Sequence, residues 1–200
     1  MKPFDPELLV VRVANLLINR KKLAERYGTE MVSINREPQK AKETSVYSAM
    51  EEKFMKAALK EAKKAYDKLE VPVGAVIVKD RKIIARAHNL KETKNDTTKH
   101  AEILAIQKAS KKLNSWRLID CEMYVTLEPC SMCAGALINS RIKKVYIGAS
   151  DPKTGAVGSV FNLLEDYTFN HKVEYEKGVL QDECESILKE FFKELRKIKK

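Results

Sequence analysis

Apolar residues recur at helical spacing over some segments of the chain and as short continuous runs over others, and that contrast predicts the elements. Leu8 to Ile18 form a dense apolar stretch behind Asp5 and Pro6, which suit a helix cap and first turn, so a helix is expected over 5–27, ending at Gly28. The stretch 29–48 is polar, contains Pro38 and has no period, as a linker would. Regular patterning restarts at Met50: Phe54, Ala57, Ala58, Ala62 and Ala65 mark one face of an amphipathic helix over 51–68. Short apolar runs at 73–78 and 83–87 flank the polar turn Lys79-Asp80-Arg81-Lys82, which predicts a strand hairpin. A polar loop at 91–99 precedes a helix over 100–112, a strand over 123–127, a short helix over 130–139 and a strand over 145–149. A Gly-containing loop at 151–158, a short helix near 160–164, a strand near 172–175 and a terminal helix over 181–197 complete the order. Strands alternating with helices imply a layered α/β domain with helices on both faces of the sheet.

Length divides this picture in two. The 200 residues allow one compact domain with a small appendage, so 50–200 is expected to be the main domain and 1–49 an N-terminal extension of unassigned role. No apolar run reaches the roughly 18 residues of a membrane span. Met1-Lys2-Pro3-Phe4-Asp5 lacks the pattern of a secretory signal, and a cytoplasmic protein is expected. The net charge of +10 points to a polyanionic partner, although a lysine-rich solvated surface explains charge alone equally well. Four cysteines in such a chain read as metal ligands or buried thiols rather than a disulfide framework.

The residues with chemistry are His100-Ala101-Glu102 and Pro129-Cys130-Ser131-Met132-Cys133, both at predicted helix starts. One imidazole and two thiolates suit Zn2+, and three protein ligands leave the fourth tetrahedral position for water, as in catalytic sites. A helix start at Cys130 favours its thiolate. Glu102 stands two residues from His100 and can accept a proton from the bound water without being a ligand. The competing arrangement is a closed structural site, with Cys121, Cys184 or His171 as fourth ligand.

H-x-E with P-C-x-x-C is the known pattern of zinc nucleobase deaminases. From Met50 to Lys200 the chain resembles the bacterial tRNA-specific adenosine deaminases, also through Val71-Pro72-Val73-Gly74-Ala75-Val76, Trp116-Arg117-Leu118, Tyr124 to Ala136, and Lys153-Thr154-Gly155-Ala156-Val157-Gly158-Ser159. The resemblance implies a three-layer α/β/α cytidine-deaminase-like fold, with a five-stranded mixed sheet covered by helices. It also implies a homodimer, one Zn2+ per subunit and a tRNA anticodon stem-loop as partner, with no DNA expected. Zinc-bound hydroxide would attack C6 of the wobble adenine, Glu102 would shuttle protons, and inosine would result. A wobble base lies in a loop, so splaying it out costs less than extracting a paired base. Asn89 matches the family position that reads the flipped base, and Asp151 lies in the family's RNA-contacting loop. Plainer readings stay open: Asn89 as a strand-end cap, and Asp151 shaping its own turn with Pro152.

The chain departs from the family pattern at Asp96-Thr97-Thr98-Lys99, where the proline before the His-Ala-Glu motif is missing, and at Ser150, which replaces an arginine. Lys91, Lys94, Lys99, Lys143, Lys144, Lys153 and the terminal basic residues from Arg196 are candidates for phosphate contacts. The alternative activity is deamination of a free nucleobase or nucleoside such as guanine, cytosine or cytidine, on the same zinc site. A catalytically inactive zinc-stabilised RNA-binding subunit is disfavoured by Glu102, which such a subunit would not need.

Overall fold

The computed structural model describes residues 48–165 and 169–198. The helix expected over 5–27 and the linker up to residue 47 lie outside them. Helix α1 (Ala49–Tyr66) begins at a full capping box, in which Ser48 Oγ accepts from the Glu51 amide and the Glu51 carboxylate accepts from the Ser48 amide. Its buried residues Phe54, Met55, Ala57, Ala58, Ala62 and Ala65 repeat at helical spacing, as the sequence pattern requires.

Strands β1 (Gly74–Lys79) and β2 (Lys82–His88) form the expected antiparallel hairpin. Asp80 and Arg81 both take positive φ in the two-residue turn, which matches the twist of the strands. After the one-turn helix α2 (Lys91–Lys94) come α3 (Ala101–Leu113), β3 (Glu122–Leu127), α4 (Ser131–Asn139), β4 (Lys144–Ala149), a 3-10 turn at Leu163–Glu165, β5 (Glu174–Lys177) and α5 (Gln181–Ile198). The sheet order is β2-β1-β3-β4-β5. β1 pairs antiparallel with β2 and β3, whereas β3, β4 and β5 run parallel, so the sheet is mixed and five-stranded as expected.

Alternation along β1 sends side chains to both faces. Ala75 and Ile77 join a core with Met123, Val125, Ala101 and Ala105, while Val76 and Val78 pack with Phe54, Ala58 and Tyr124. Helix α3 therefore covers one face of the sheet and α1 the other, which makes three layers. Gly74 permits the close seating of α1, because a Cβ there would run into the backbone of Ala58 and Ala62.

Beyond shifts of one or two residues at other element ends, three features differ from the sequence pattern. β5 spans Glu174–Lys177 rather than 172–175, because pairing with Lys144 to Ile147 of β4 sets its ends and leaves Val173 as a buried lead-in. The helix expected near 160–164 is the single turn Leu163–Glu165. The polar loop at 91–99 contains α2, whose amides at Glu92 and Thr93 donate to the carboxylate of Glu70 at 3.1 and 2.6 Å. That acceptor is more than twenty residues away in sequence, so no local signal announces the turn.

Candidate functional site

The ends of two helices build the site. His100 is the N-cap of α3 and Cys130 the N-cap of α4, both with extended backbone and neither using its side chain to cap its helix. Capping is left to the backbone, so both ligating atoms are available, and the positive ends of two helix dipoles converge on them. Cys133, one turn into α4, is fully buried. His100 Nδ1 lies 3.7 Å from Cys130 Sγ and 3.6 Å from Cys133 Sγ, and the three ligand atoms lie within 4.8 Å of one another. A tetrahedral ion with Zn–S about 2.3 Å and Zn–N about 2.0–2.1 Å separates sulfur from nitrogen by about 3.6 Å, so the cluster fits that ion as built.

The electrostatics agree with a thiolate site. The Cys133 thiol beside Cys130, then the His100 imidazole, hold Cys130 down to about 4. Cys133 is pushed up because it keeps the shared proton and is buried, and His100 is raised by its hydrogen bond with Cys130. A divalent ion held by His100, Cys130 and Cys133 would take the place of that proton. Glu102, in the first turn of α3, is 3% exposed, and burial raises its carboxyl above the usual range. It stands outside the ligand cluster. Among the described residues no fourth protein ligand joins the group: His171 Nε2 pairs with the Ile142 carbonyl at 2.7 Å, Cys121 lies in the α3-side core and Cys184 in the core on the opposite face. The arrangement is an open three-ligand site with an adjacent buried acid.

A family model for MafB19-like deaminases matches residues 49–196. Over 150 residues the chain is 55% identical to a tRNA-specific adenosine deaminase of Bacillus subtilis (strain 168), covering 75% of this chain and 93% of that protein. The chain belongs to the tRNA-specific adenosine deaminase family. It is also 54% identical over 145 residues to the Aquifex aeolicus (strain VF5) protein of that name, covering 72% of this chain and 95% of the relative. A solved structure from work on A-to-I editing by tRNA:A34 deaminases at the wobble position aligns with TM-score 0.66 and 44% identity, covering 68% of this chain and 99% of the other. The cytidine-deaminase-like fold expected from the resemblance is thus present.

In this deaminase Asn89 follows β2, is 8% exposed and has both ends of its amide engaged. Oδ1 accepts from the Ala101 amide at 2.9 Å, between His100 and Glu102, and Nδ2 donates to the Val71 carbonyl at 3.2 Å. The side chain therefore ties the start of α3 to the segment that leads into β1. Asp151 shapes its own turn, accepting from the amides of Lys153 and Thr154 at 2.9 and 3.2 Å and from the Thr154 hydroxyl. It lines, with Val71, Leu127, Pro152 and Phe192, a cleft of about 660 Å³. In the departing segment at 96–99, Asp96 accepts from Thr98 and pairs with Lys99 at 3.2 Å, so an acid orders the loop in place of a proline.

Glu128, which sequence reasoning passed over, organises the far wall. It is 3% exposed and accepts from the amides of Asp151, Val157 and Ser159 at 3.0–3.2 Å and from the Ser159 hydroxyl, with Lys177 at 3.4 Å. Burial alone would raise its carboxyl, but the Ser159 bonds and then the Asp151 amide carry it below the usual range. Its place directly before Pro129-Cys130 was the available hint.

Proposed function

We propose that this chain hydrolyses the 6-amino group of adenosine at the wobble position of a tRNA anticodon, giving inosine and ammonia. The observation that carries the reading is the open His100, Cys130 and Cys133 cluster with Glu102 buried beside it. The sequence likeness to enzymes named tRNA-specific adenosine deaminase supports the substrate. We assign Zn2+ to the cluster, one ion per subunit. When bound it supplies Lewis acidity that makes water nucleophilic near neutral pH.

Glu102 then moves the protons. It accepts one from the attacking water and delivers it to adenine N1 as C6 becomes tetrahedral, then takes the remaining proton from the new C6 hydroxyl and passes it to the amine as the C6–N bond breaks and ammonia leaves. Its raised affinity for a proton, a consequence of burial, suits a group that must both take and return one. Asn89 is assigned to contact the flipped base, from a position already fixed by Ala101 and Val71. Asp151 is assigned to a ribose hydroxyl beside the cleft. Residues 50–200 form the deaminase domain in this reading, 1–49 an extension, and the active form is a homodimer in the cytoplasm. Among the described residues no helix is long and apolar enough to cross a membrane.

The deciding experiment incubates the zinc-loaded protein with a synthetic anticodon stem-loop carrying wobble adenosine, beside a stem-loop with guanosine there and beside free guanine and cytidine. Inosine only in the first supports the proposal. Ammonia from a free base with no inosine in the loop leaves a deaminase of free bases or nucleosides.

A further inference from the structure

Helix α1 carries Lys53, Lys56, Lys60 and Lys64, all exposed. At 3.6 residues per turn these positions fall within an arc of about 80° and run roughly 16 Å along the helix. They border a groove of about 660 Å³ between α1 and β2, with Ala57 and Ile83 in its lining and Arg86 contributed by β2. Five cations there face one carboxylate, that of Glu61. Lys56 and Lys64 are partly neutralised, by Glu52 at 3.2 Å and Glu61 at 2.7 Å. Lys53, Lys60 and Arg86 have no ion pair with any described residue. A recess with unneutralised cations along one line fits a polyphosphate chain rather than a compact anion.

The groove connects to the catalytic end of the sheet. Glu61 also holds His88 Nδ1 at 3.2 Å, His88 Nε2 meets Lys68 Nζ at 3.0 Å, and the next residue, Asn89, holds the Ala101 amide between His100 and Glu102. We infer that this groove binds the phosphodiester backbone of the RNA outside the anticodon loop, tracking the stem while the loop base enters the zinc site. The inference rests on the proposed RNA substrate. A competing role is edge protection: β2 is an edge strand, and basic side chains discourage pairing with other chains.

The test uses full-length protein inactivated by Glu102→Gln and a tRNA transcript with wobble adenosine, with affinity measured across salt concentrations. Lys53→Gln/Lys60→Gln/Arg86→Gln should flatten the slope of log affinity against log salt by about 2 to 3 and weaken binding about tenfold or more at low salt. Lys111→Gln/Lys112→Gln/Lys143→Gln, which removes equal charge outside the groove lining, should leave both unchanged. The single variant Lys60→Gln, with a slope change of about 1, serves if the triple variant does not fold. Equal behaviour of the two triple variants overturns the inference. With Glu102 restored, wild-type protein that forms no inosine would overturn the wobble reading, while the groove would stand or fall on the binding slopes.

Discussion

Two walls of the site are built on opposite plans. The His100, Cys130 and Cys133 corner is made by short motifs, its three candidate ligands placed by two helix starts, so local backbone geometry aims their ligating atoms. The wall at 151–159 has little regular structure, and the single carboxylate of Glu128 collects its amides from one side of the sheet. In the proposed function the first wall carries the chemistry and should tolerate no change of ligand, whereas the second carries shape and should fail by degrees.

The largest expected effect falls on the first wall. Cys133→Ala, or chelation of the wild-type protein, should abolish inosine formation, with bound metal checked by elemental analysis; activity retained without metal would break the comparison. Next, Glu102→Gln should lower kcat by roughly 10²- to 10⁴-fold, the usual worth of general acid–base catalysis, while metal content stays near one ion per chain. On the second wall, Glu128→Ala leaves buried amides without an acceptor and should cost about 3 kcal/mol, near 10 °C in Tm, as read by thermal unfolding. Its kcat should fall less than that of Glu102→Gln.

Asn89 lies between the two plans and sharpens them. Asn89→Asp keeps an acceptor for the Ala101 amide and loses the donor to Val71, so it should cost about 1–3 kcal/mol in kcat/KM, whereas Asn89→Ala should cost more. Equal effects would mean that its role is towards the base rather than the helix. The smallest effect concerns Glu70, which holds α2. Burial would raise its carboxyl, but the Thr93 and Glu92 amides bring it below its usual value of 4.5. Its contribution is therefore present above about that pH and lost as pH falls through the lower folded value. Wild type should lose that increment on acidification and Glu70→Gln should not, as measured by urea unfolding at several pH values.

Much of the molecule was legible in the chain because its signals are local. The apolar face of α1 depends on residues three or four apart, and the turn at Asp80-Arg81 on neighbours, whereas the capping box at Ser48, within the expected linker, was not read. That His100, Cys130 and Cys133 form a candidate ligand group was legible for the same reason, since each half fits within one helical turn. Glu70 and Glu128 were not, because each acid acts on amides more than twenty residues away, and apart from Glu128 standing directly before Pro129-Cys130 no local signal marks either position. Nor does any periodicity within β5 show that its ends follow the register of β4.

The sequence by itself singled out His100, Cys130 and Cys133 as a candidate metal-binding set, Glu102 as the acid near them and the apolar faces of the helices, since backbone periodicity and donor chemistry reside in each residue and its near neighbours. Only the tertiary structure decided that His100 Nδ1 stands 3.6 to 3.7 Å from the two thiol sulfurs, that burial raises the Glu102 carboxyl, and that Lys53, Lys60 and Arg86 share one groove. Those outcomes depend on distances and desolvation between segments remote in sequence, which are set when the sheet brings the helices together.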